Sequence, residues 1–389
     1  MIKKNELYHF RAEGFTGNLI LLSCEPNLPY DRPKLSKKLD AKPSEIQLRS
    51  EDWYSEAGVD LRLGVEVTEV NPEERTVTTS TGERIQYSSL LVATGGSPRV
   101  LEVEGADLDG VRTLRTPQDA NFIAEQAAGK HVVIVGGSFI GMEVAAAIVG
   151  SCTKVTVIDR NSVSFQSTLG PEIGNILAEM HREKGVYFEM NETVAKVLGT
   201  DGRVSGVVLG SGKELEADLV LVGVGVVPNT GFLKNIPDIM DSRGVVPVNE
   251  YMETRVAGVW AAGDIVRFPL LTYGGELVNT GHWGLAMYLG KVAALNILGR
   301  REPARTVPFF WTVQYGKSVR FAGTMAGCDS VKVQADDGTF LATFSCKGTV
   351  RGVGSLGRDP APAYFKNLIL DGKVLREEDA FQCLTKMNV

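Results

Sequence analysis

The run Val132-Val133-Ile134-Val135-Gly136-Gly137-Ser138-Phe139-Ile140-Gly141-Met142-Glu143 joins two apolar stretches through three glycines and a serine. Its spacing is Gly-x-Gly-x-x-Gly after a strand, with Ser138 where the middle glycine would stand. Gly136 would make a tight turn, and Gly141 would let a following helix pack closely on the strand. Free N–H groups at the start of that helix, with the positive end of its dipole, suit a pyrophosphate. Gly136, Gly137, Ser138, Phe139, Ile140 and Gly141 are therefore expected to line a dinucleotide. Ser138 carries a Cβ, which weakens the match. The surroundings restore it, because Asp159 closes the next strand about 20 residues on, where an acid would hold a ribose hydroxyl. An acid there favours NAD over NADP by repelling a 2′-phosphate, while Arg160 beside it leaves NADPH open. The plainer reading is a strand–helix turn that binds nothing.

Two further joints have the chemistry of a ligand site. Thr94-Gly95-Gly96 follows the buried run Ser89-Leu90-Leu91-Val92-Ala93, and Ala261-Ala262-Gly263-Asp264 follows another strand. A carboxylate at a strand end can accept hydrogen bonds from a ribityl chain. A Gly-Asp turn alone is common; the weight comes from the two joints flanking one complete nucleotide unit, which resembles the two-dinucleotide-binding-domain flavoproteins and by that resemblance implies a flavin.

The periodicity predicts the elements that would position these residues. A strand at 131–135, a helix at 139–149 and a strand at 154–158 make a βαβ unit. A helix over 117–128 is capped by Thr116, and a longer helix is expected over 171–184. Strands follow at 186–190, 204–209 and 219–222, and strands alternating with helices imply a parallel sheet. Before this unit come strands at 18–23, 64–70 and 89–96, with a hairpin of 75–79 and 84–87 around Thr81-Gly82. After it come a strand at 258–264 and a helix at 283–298. Beyond Pro303 the texture changes to short alternating strands at 318–322, 332–334 and 340–344, so a domain boundary is placed there.

Composition excludes several classes. Lys and Arg number 41 against 47 Asp and Glu, an acidic balance that argues against nucleic acid as a partner. The five cysteines are scattered and form no Cys-x-x-Cys, so neither a redox disulfide nor a zinc site is indicated. With four histidines, a His-rich metal site is not expected. The apolar stretch 132–149 is broken by Gly136, Gly137, Ser138, Gly141 and Glu143, and so reads as strand, turn and helix rather than an integral membrane segment. Residues 1–6 lack the apolar core of a leader, and the expected compartment is cytoplasmic or mitochondrion-associated.

Longer motifs carry a family resemblance. Pro29-Tyr30-Asp31-Arg32-Pro33-Lys34-Leu35-Ser36-Lys37, Phe139-Ile140-Gly141-Met142-Glu143, Gly223-Val224-Gly225-Val226-Val227-Pro228-Asn229-Thr230, Gly281-His282-Trp283 and Phe309-Phe310-Trp311 resemble the apoptosis-inducing-factor-like branch of the FAD- and NAD(P)-dependent pyridine nucleotide-disulfide oxidoreductases. They are similar also to ferredoxin and rubredoxin reductases, over nearly the whole chain from about Gly14. The resemblance implies an α/β fold with two Rossmann-like dinucleotide-binding domains, the NAD domain inserted into the FAD domain, and a C-terminal α+β domain. The FAD domain would take 1–111 and 246–302, the NAD(P) domain 112–245, and the last domain 303–389.

It also implies FAD and NADH as cofactors, hydride transfer from NADH to flavin, and an external electron acceptor. Glu25 would bind the adenosine ribose of FAD, and Arg32 and Lys37 would face the flavin, where a cation stabilises the reduced ring. Glu143 would sit near the nicotinamide and pair with Lys37, making these two the catalytic candidates. Thr94, Gly95, Gly225, Asp264, His282, Trp283 and Trp311 complete the expected cofactor-binding set. The plainer readings are a solvated loop lysine, a helix first-turn acid favoured by the dipole, and core aromatic and histidine side chains. The resemblance leaves a homodimer open.

Two departures stand out. Ahead of Gly14 no glycine fingerprint occurs where an FAD domain should begin, so the FAD pyrophosphate cradle is expected to be absent or remodelled, as in a shortened product or an incomplete gene model. The Rieske pattern Cys-x-His…Cys-x-x-His is absent, so no iron–sulfur site is expected. Two rivals to a reductase therefore stay open: an NAD-binding protein without catalysis, and a cell-death signalling protein on a reductase scaffold.

Overall fold

The computed structural model of the protein describes residues 5–336 and 338–386; residues 1–4, part of the stretch read for a leader, lie outside the described residues. The chain forms two compact units. One holds the chain up to Arg32 with Pro43–Ser97 and Val227–Pro308; the other holds Pro33–Lys42, Pro98–Val226 and the chain from Phe309 onward.

In the second unit, near-continuous apolar runs make a parallel sheet, as expected of strands covered on both faces. Its elements are β1 (Val111–Thr113), α1 (Pro117–Ala127), β2 (His131–Val135), α2 (Phe139–Ile148), β3 (Lys154–Asp159), α3 (Gln166–Arg182), β4 (Val186–Met190), β5 (Val194–Thr200), β6 (Arg203–Leu209), β7 (Glu214–Glu216) and β8 (Leu219–Val222). The sheet order is β4-β3-β2-β8-β1, with every pair parallel. Val133 and Val135 pack with Val197, Val207 and Leu209 of the antiparallel β5–β6–β7 meander. Ile134 meets α2 on the opposite face, at Gly141. Strand order reverses between β2 and β8, and in such sheets ligands bind outside the carboxyl ends of the strands at that reversal.

Local sequence explains where these helices begin. Thr116 and Asp119 form a reciprocal capping box, with Pro117 at the first helical position of α1. The helix expected from Pro171 starts earlier, at Gln166, and kinks where Gly170 adopts φ 79° just before Pro171. Pro171, its φ fixed by the ring, then restarts the helix.

The same unit carries an antiparallel sheet of β9 (Phe309–Gln314), β10 (Lys317–Gly323), β11 (Ser330–Asp336), β12 (Thr339–Cys346) and β13 (Thr349–Leu356), in the order β9-β10-β13-β12-β11. Phe365 of α4 (Pro360–Leu370) is fully buried against Ala322, Leu341 and Val353 of that sheet.

The first unit is built from shorter pieces. Leu19–Ser23 pairs in parallel with Val59–Leu63, and Leu90–Val92 with Val259–Ala261. Val67–Asn71, Thr76–Thr79 and Arg84–Gln86 form an antiparallel meander. The strand expected over 64–70 begins later, at Val67, because Gly64 turns with φ 70° after a separate strand Val59–Leu63. The strand expected over 258–264 ends at Ala261 and passes into a 3-10 turn, Gly263–Ile265. Helix Trp283–Ile297 buries Leu285, Leu289 and Val292 in this unit's core. Among the described residues no helix is long and apolar enough to cross a membrane, and no group of His, Cys, Asp and Glu could hold a metal ion.

His181, near the end of α3, is fully buried beside β9. Its Nε2 lies 2.9 Å from Gln314 Oε1, and its Nδ1 lies 2.9 Å from the Tyr315 hydroxyl. A carbonyl oxygen only accepts, so Nε2 carries the proton and Nδ1 accepts from Tyr315. Burial lowers the His181 pKa from 6.5 to about 4, against an upward contribution from Gln314. Neutral imidazole is thus the folded form, and below pH 6.5 the unfolded chain binds a proton that the folded chain refuses until about pH 4. Stability should be full above that window and fall through it, by up to about 1.4 kcal/mol per pH unit. Urea midpoints between neutral pH and pH 4 should fall more steeply for the natural protein than for His181→Gln. Parallel slopes would remove His181 as the cause.

Candidate nucleotide site and its carboxylate–lysine pair

At the reversal point the backbone leaves no room for side chains. Gly136 has φ 111°, and a Cβ there would lie 2.4 Å from the Gly223 carbonyl oxygen. A Cβ on Gly141 would lie 2.1 Å from the Gly136 carbonyl oxygen. Residues past β2 and β8 are therefore in close contact with the start of α2. Ser138 takes the N-cap position in extended conformation, with no cap hydrogen bond from its hydroxyl. Extended backbone accepts any L residue, which explains how serine replaces a glycine there.

The segment after β3 clamps Gly137 from both sides. Its N–H donates to Asp159 Oδ2 at 2.6 Å, and its carbonyl accepts from Phe165 N–H at 2.8 Å. Asp159 Oδ1 accepts from the Asn161 backbone and side-chain amides, both at 2.8 Å. Arg160 is exposed. The N-terminal amides of α2, set at the ends of the strands by the close packing of Gly136 and Gly141, have the donor chemistry for a pyrophosphate, so the residues present fit a dinucleotide.

Glu143 lies one turn along α2 from Phe139 and its side chain is 8% exposed. Lys37 Nζ stands 2.8 Å from Glu143 Oε2 and also donates to the Pro33 carbonyl at 3.1 Å. The Ser36 hydroxyl donates to Oε2 as well, and Thr312 Oγ1 donates to Oε1 at 2.5 Å. Aromatic rings cluster at the start of α2: Phe139 makes edge contacts with Phe165 at 5.3 Å and Phe310 at 5.0 Å. Asn121 of α1 holds the same Pro33–Lys42 segment, donating to the Leu39 carbonyl at 2.7 Å and the Ala41 carbonyl at 3.2 Å.

Other expected residues have definite places. In this second unit, Ile140 and Trp311 are exposed, Trp311 on the outward face of β9 at 50% exposure, and Gly225 turns with φ 108° beside the Arg99 side chain. In the first unit, Arg32 Nη2 lies 2.5 Å from Glu25 Oε1, and the Tyr30 hydroxyl donates to Glu25 Oε2 at 2.6 Å. Glu25 and Arg32 are thus joined to each other. Thr94 Oγ1 donates to the Asn229 carbonyl at 2.6 Å, and Asn229 N–H donates to the Gly95 carbonyl at 2.8 Å, so this joint is held by its own neighbours. His282 caps helix Trp283–Ile297, its Nδ1 accepting from Gly284 N–H at 3.2 Å, with Trp283 half-buried. A Cβ on Gly281 would stand at ordinary contact distance, 3.5 Å, from the Asp264 carboxyl carbon. A carboxylate at a strand end has the acceptor chemistry for a polyol hydroxyl, the part of a flavin nucleotide that this joint would address.

Ser36, Thr312 and Asn121 were not singled out from the sequence. The one signal for Thr312 is that it and Gln314 are polar residues at alternate, fully buried positions of β9.

The doubly wound parallel sheet with a glycine turn at its reversal point makes this a Rossmann-like α/β protein. The pyridine nucleotide-disulphide oxidoreductase family model matches residues 8–284, and the chain belongs to that family. It is 38% identical over 371 residues to apoptosis-inducing factor 3 of Homo sapiens, covering 95% of this chain and 61% of that protein. The chain therefore spans about three-fifths of that relative's length. A ferredoxin reductase of Rhodopseudomonas palustris has a similar structure, with a TM-score of 0.92 and 27% identity, covering 97% of this chain and 94% of that one. The reductase of a covalent putidaredoxin reductase–putidaredoxin complex matches with a TM-score of 0.91 and 28% identity, covering 99% and 93%.

A Cβ on Gly137 would lie 2.8 Å from Ser164 Oγ, a buried hydroxyl with no hydrogen-bond partner among the described residues. Gly137→Ala should therefore cost about 1–3 kcal/mol through overpacking, and Ser164→Ala should recover part of that loss. Denaturation midpoints of the two single variants and the double variant check it; strictly additive effects would show that the two positions are not coupled.

Proposed function

We propose that the protein is an FAD-dependent NADH oxidoreductase that draws hydride from NADH and passes electrons to a small external carrier protein. The observation that carries this reading is that buried Glu143, on the helix that follows the glycine turn, is paired with Lys37. An enzyme that only bound a nucleotide would need the turn but not an ion pair at the far end of it.

In this reading, 112–245 is the NAD domain inserted between 1–111 and 246–302 of the FAD domain, with 303–389 following. The first-turn amides of α2 hold the NADH pyrophosphate, and Asp159 accepts a hydroxyl of the adenosine ribose. Glu143 accepts N–H groups of the nicotinamide carboxamide. Lys37 sets a positive charge at the reacting end, and Phe139 and Phe310 keep water from it. Glu25, Arg32, Thr94, Gly95, Asp264, His282, Trp283 and Trp311 belong to the flavin side, with Gly225 on the nucleotide side. A bound flavin supplies two-electron uptake and one-electron release, which matches NADH to a one-electron carrier. The small carrier in the putidaredoxin reductase complex supports a partner of that chemistry.

Asp159 also sets the coenzyme. Its carboxylate is tied to Gly137 and Asn161 and cannot swing away from a 2′-phosphate, so NADH should bind in preference to NADPH. Asp159→Asn should reduce that preference by about tenfold, from loss of the charge repulsion, read as the ratio of the two dissociation constants. An unchanged ratio would remove Asp159 from coenzyme choice. The reading as a whole is tested by incubating purified protein with FAD, removing the excess and adding NADH without oxygen. Retained flavin absorbance that bleaches supports it; protein that binds neither coenzyme sinks it.

A further inference from the structure

Glu143 is held from outside its own helix. Oε1 accepts from Thr312 on β9, and Oε2 accepts from Ser36 and Lys37 in the Pro33–Lys42 segment. Both hydroxyl residues are buried, Thr312 at 1% exposure and Ser36 at 6%, so bulk water is a poor substitute for either. Ser36 Oγ is also 3.3 Å from the Pro33 carbonyl, but its one proton goes to the nearer, charged acceptor. A carboxylate offers about four acceptor directions, and three of these are taken.

Lys37 alone would not fix the carboxylate. Its side chain is a third exposed, and an ammonium on a flexible stem is a point charge with little directional demand. The two hydroxyls supply direction. They approach different oxygens from different segments and leave Glu143 one arrangement rather than a set of rotamers. Packing alone does not require them, since valine has the shape of threonine.

We propose that Thr312 and Ser36 are positioning residues that hold Glu143 with its remaining acceptor direction presented to the carboxamide of a nicotinamide ring, and so give the site its affinity for that end of the coenzyme. This rests on the reading that Glu143 borders the nicotinamide. A pre-oriented acceptor need not be ordered by the ligand, and the gain is confined to contacts that the ring makes.

The test compares NAD⁺ with ADP-ribose, which keeps the pyrophosphate and the adenosine ribose but lacks the ring. Isothermal titration of the purified full chain should show NAD⁺ weakened about tenfold by Thr312→Val, for loss of one hydrogen bond to a charged group. ADP-ribose should change less than about twofold, because its contacts lie at the turn. Thr312→Ser should restore NAD⁺ binding, and Ser36→Ala should act in the same direction as Thr312→Val. Equal loss of both ligands would overturn the proposal, since the damage would then lie in the fold or the turn. So would a Thr312→Val protein that binds NAD⁺ as the natural one does. Natural protein that binds both ligands equally would end the proposal while sparing the nucleotide site. Natural protein that binds neither would end the functional reading first, and this proposal with it.

Discussion

A carboxylate taken out of water must be given donors, and Glu143 is the buried acid around which the second unit is organised. Its donors come from residues 36, 37 and 312, more than a hundred positions away on either side. Leaving the charge buried with one donor removed would be costly, whereas apolar side chains in all these places could pack well. The arrangement therefore fixes relative positions within the unit more than it adds to stability. It joins Pro33–Lys42, α2 and β9, and Asn121 adds a second hold on the first of these segments. His181 fastens the other end of β9 to α3 through Gln314 and Tyr315, so Thr312 sits on a strand secured at both the site and the sheet.

The glycine turn is the complementary constraint. Glu143 needs side chains brought in from a distance, while the turn needs side chains kept out. Gly136 and Gly141 allow β2, β8 and α2 to meet at distances that a Cβ would prevent. One helix thus presents bare backbone amides at its first turn and a ligated acid one turn later. The 3.6-residue repeat sets Glu143 on the same side of α2 as Phe139. A long ligand with a charged middle and a polar ring at one end is matched by that order along the helix.

How much of this was legible in the sequence depended on whether the cause was local. β2, α2 and β3 lie within a residue of their expected bounds, because an apolar run, a glycine turn and a return to apolar periodicity are short-range signals. The cap of α1 is likewise written in Thr116, Pro117 and Asp119. The start of α3 was misplaced because Gly170-Pro171 reads as a beginning, whereas tertiary packing adds a turn before it. Gly64 is a turn where alternation alone had begun a strand. At the site, Lys37 and Glu143 could be named from resemblance and are ion-paired, yet Ser36 and Thr312 could not, since nothing in their neighbours in sequence requires a hydroxyl. Polar residues at alternating buried positions of a strand are the trace that such residues leave, and it becomes informative only once the strand's inward face is known.

If Asp159 sets the coenzyme as proposed, turn geometry and coenzyme choice are tied to one side chain. The acid at the end of β3 uses one oxygen to orient the Gly137 amide and the other to hold the Asn161 loop. Any residue that replaced it to admit a 2′-phosphate would also have to supply an acceptor for a part-buried N–H, which neither arginine nor lysine can do. A basic residue placed there for the 2′-phosphate would therefore need a second substitution, one that re-seats the loop from Arg160 to Gln166. Glu143 has no such double duty within its own turn; its obligations run outward to other segments. The two acids differ in what constrains them: Asp159 is held within its own βαβ unit, by Gly137 and Asn161, and Glu143 by segments more than a hundred positions away.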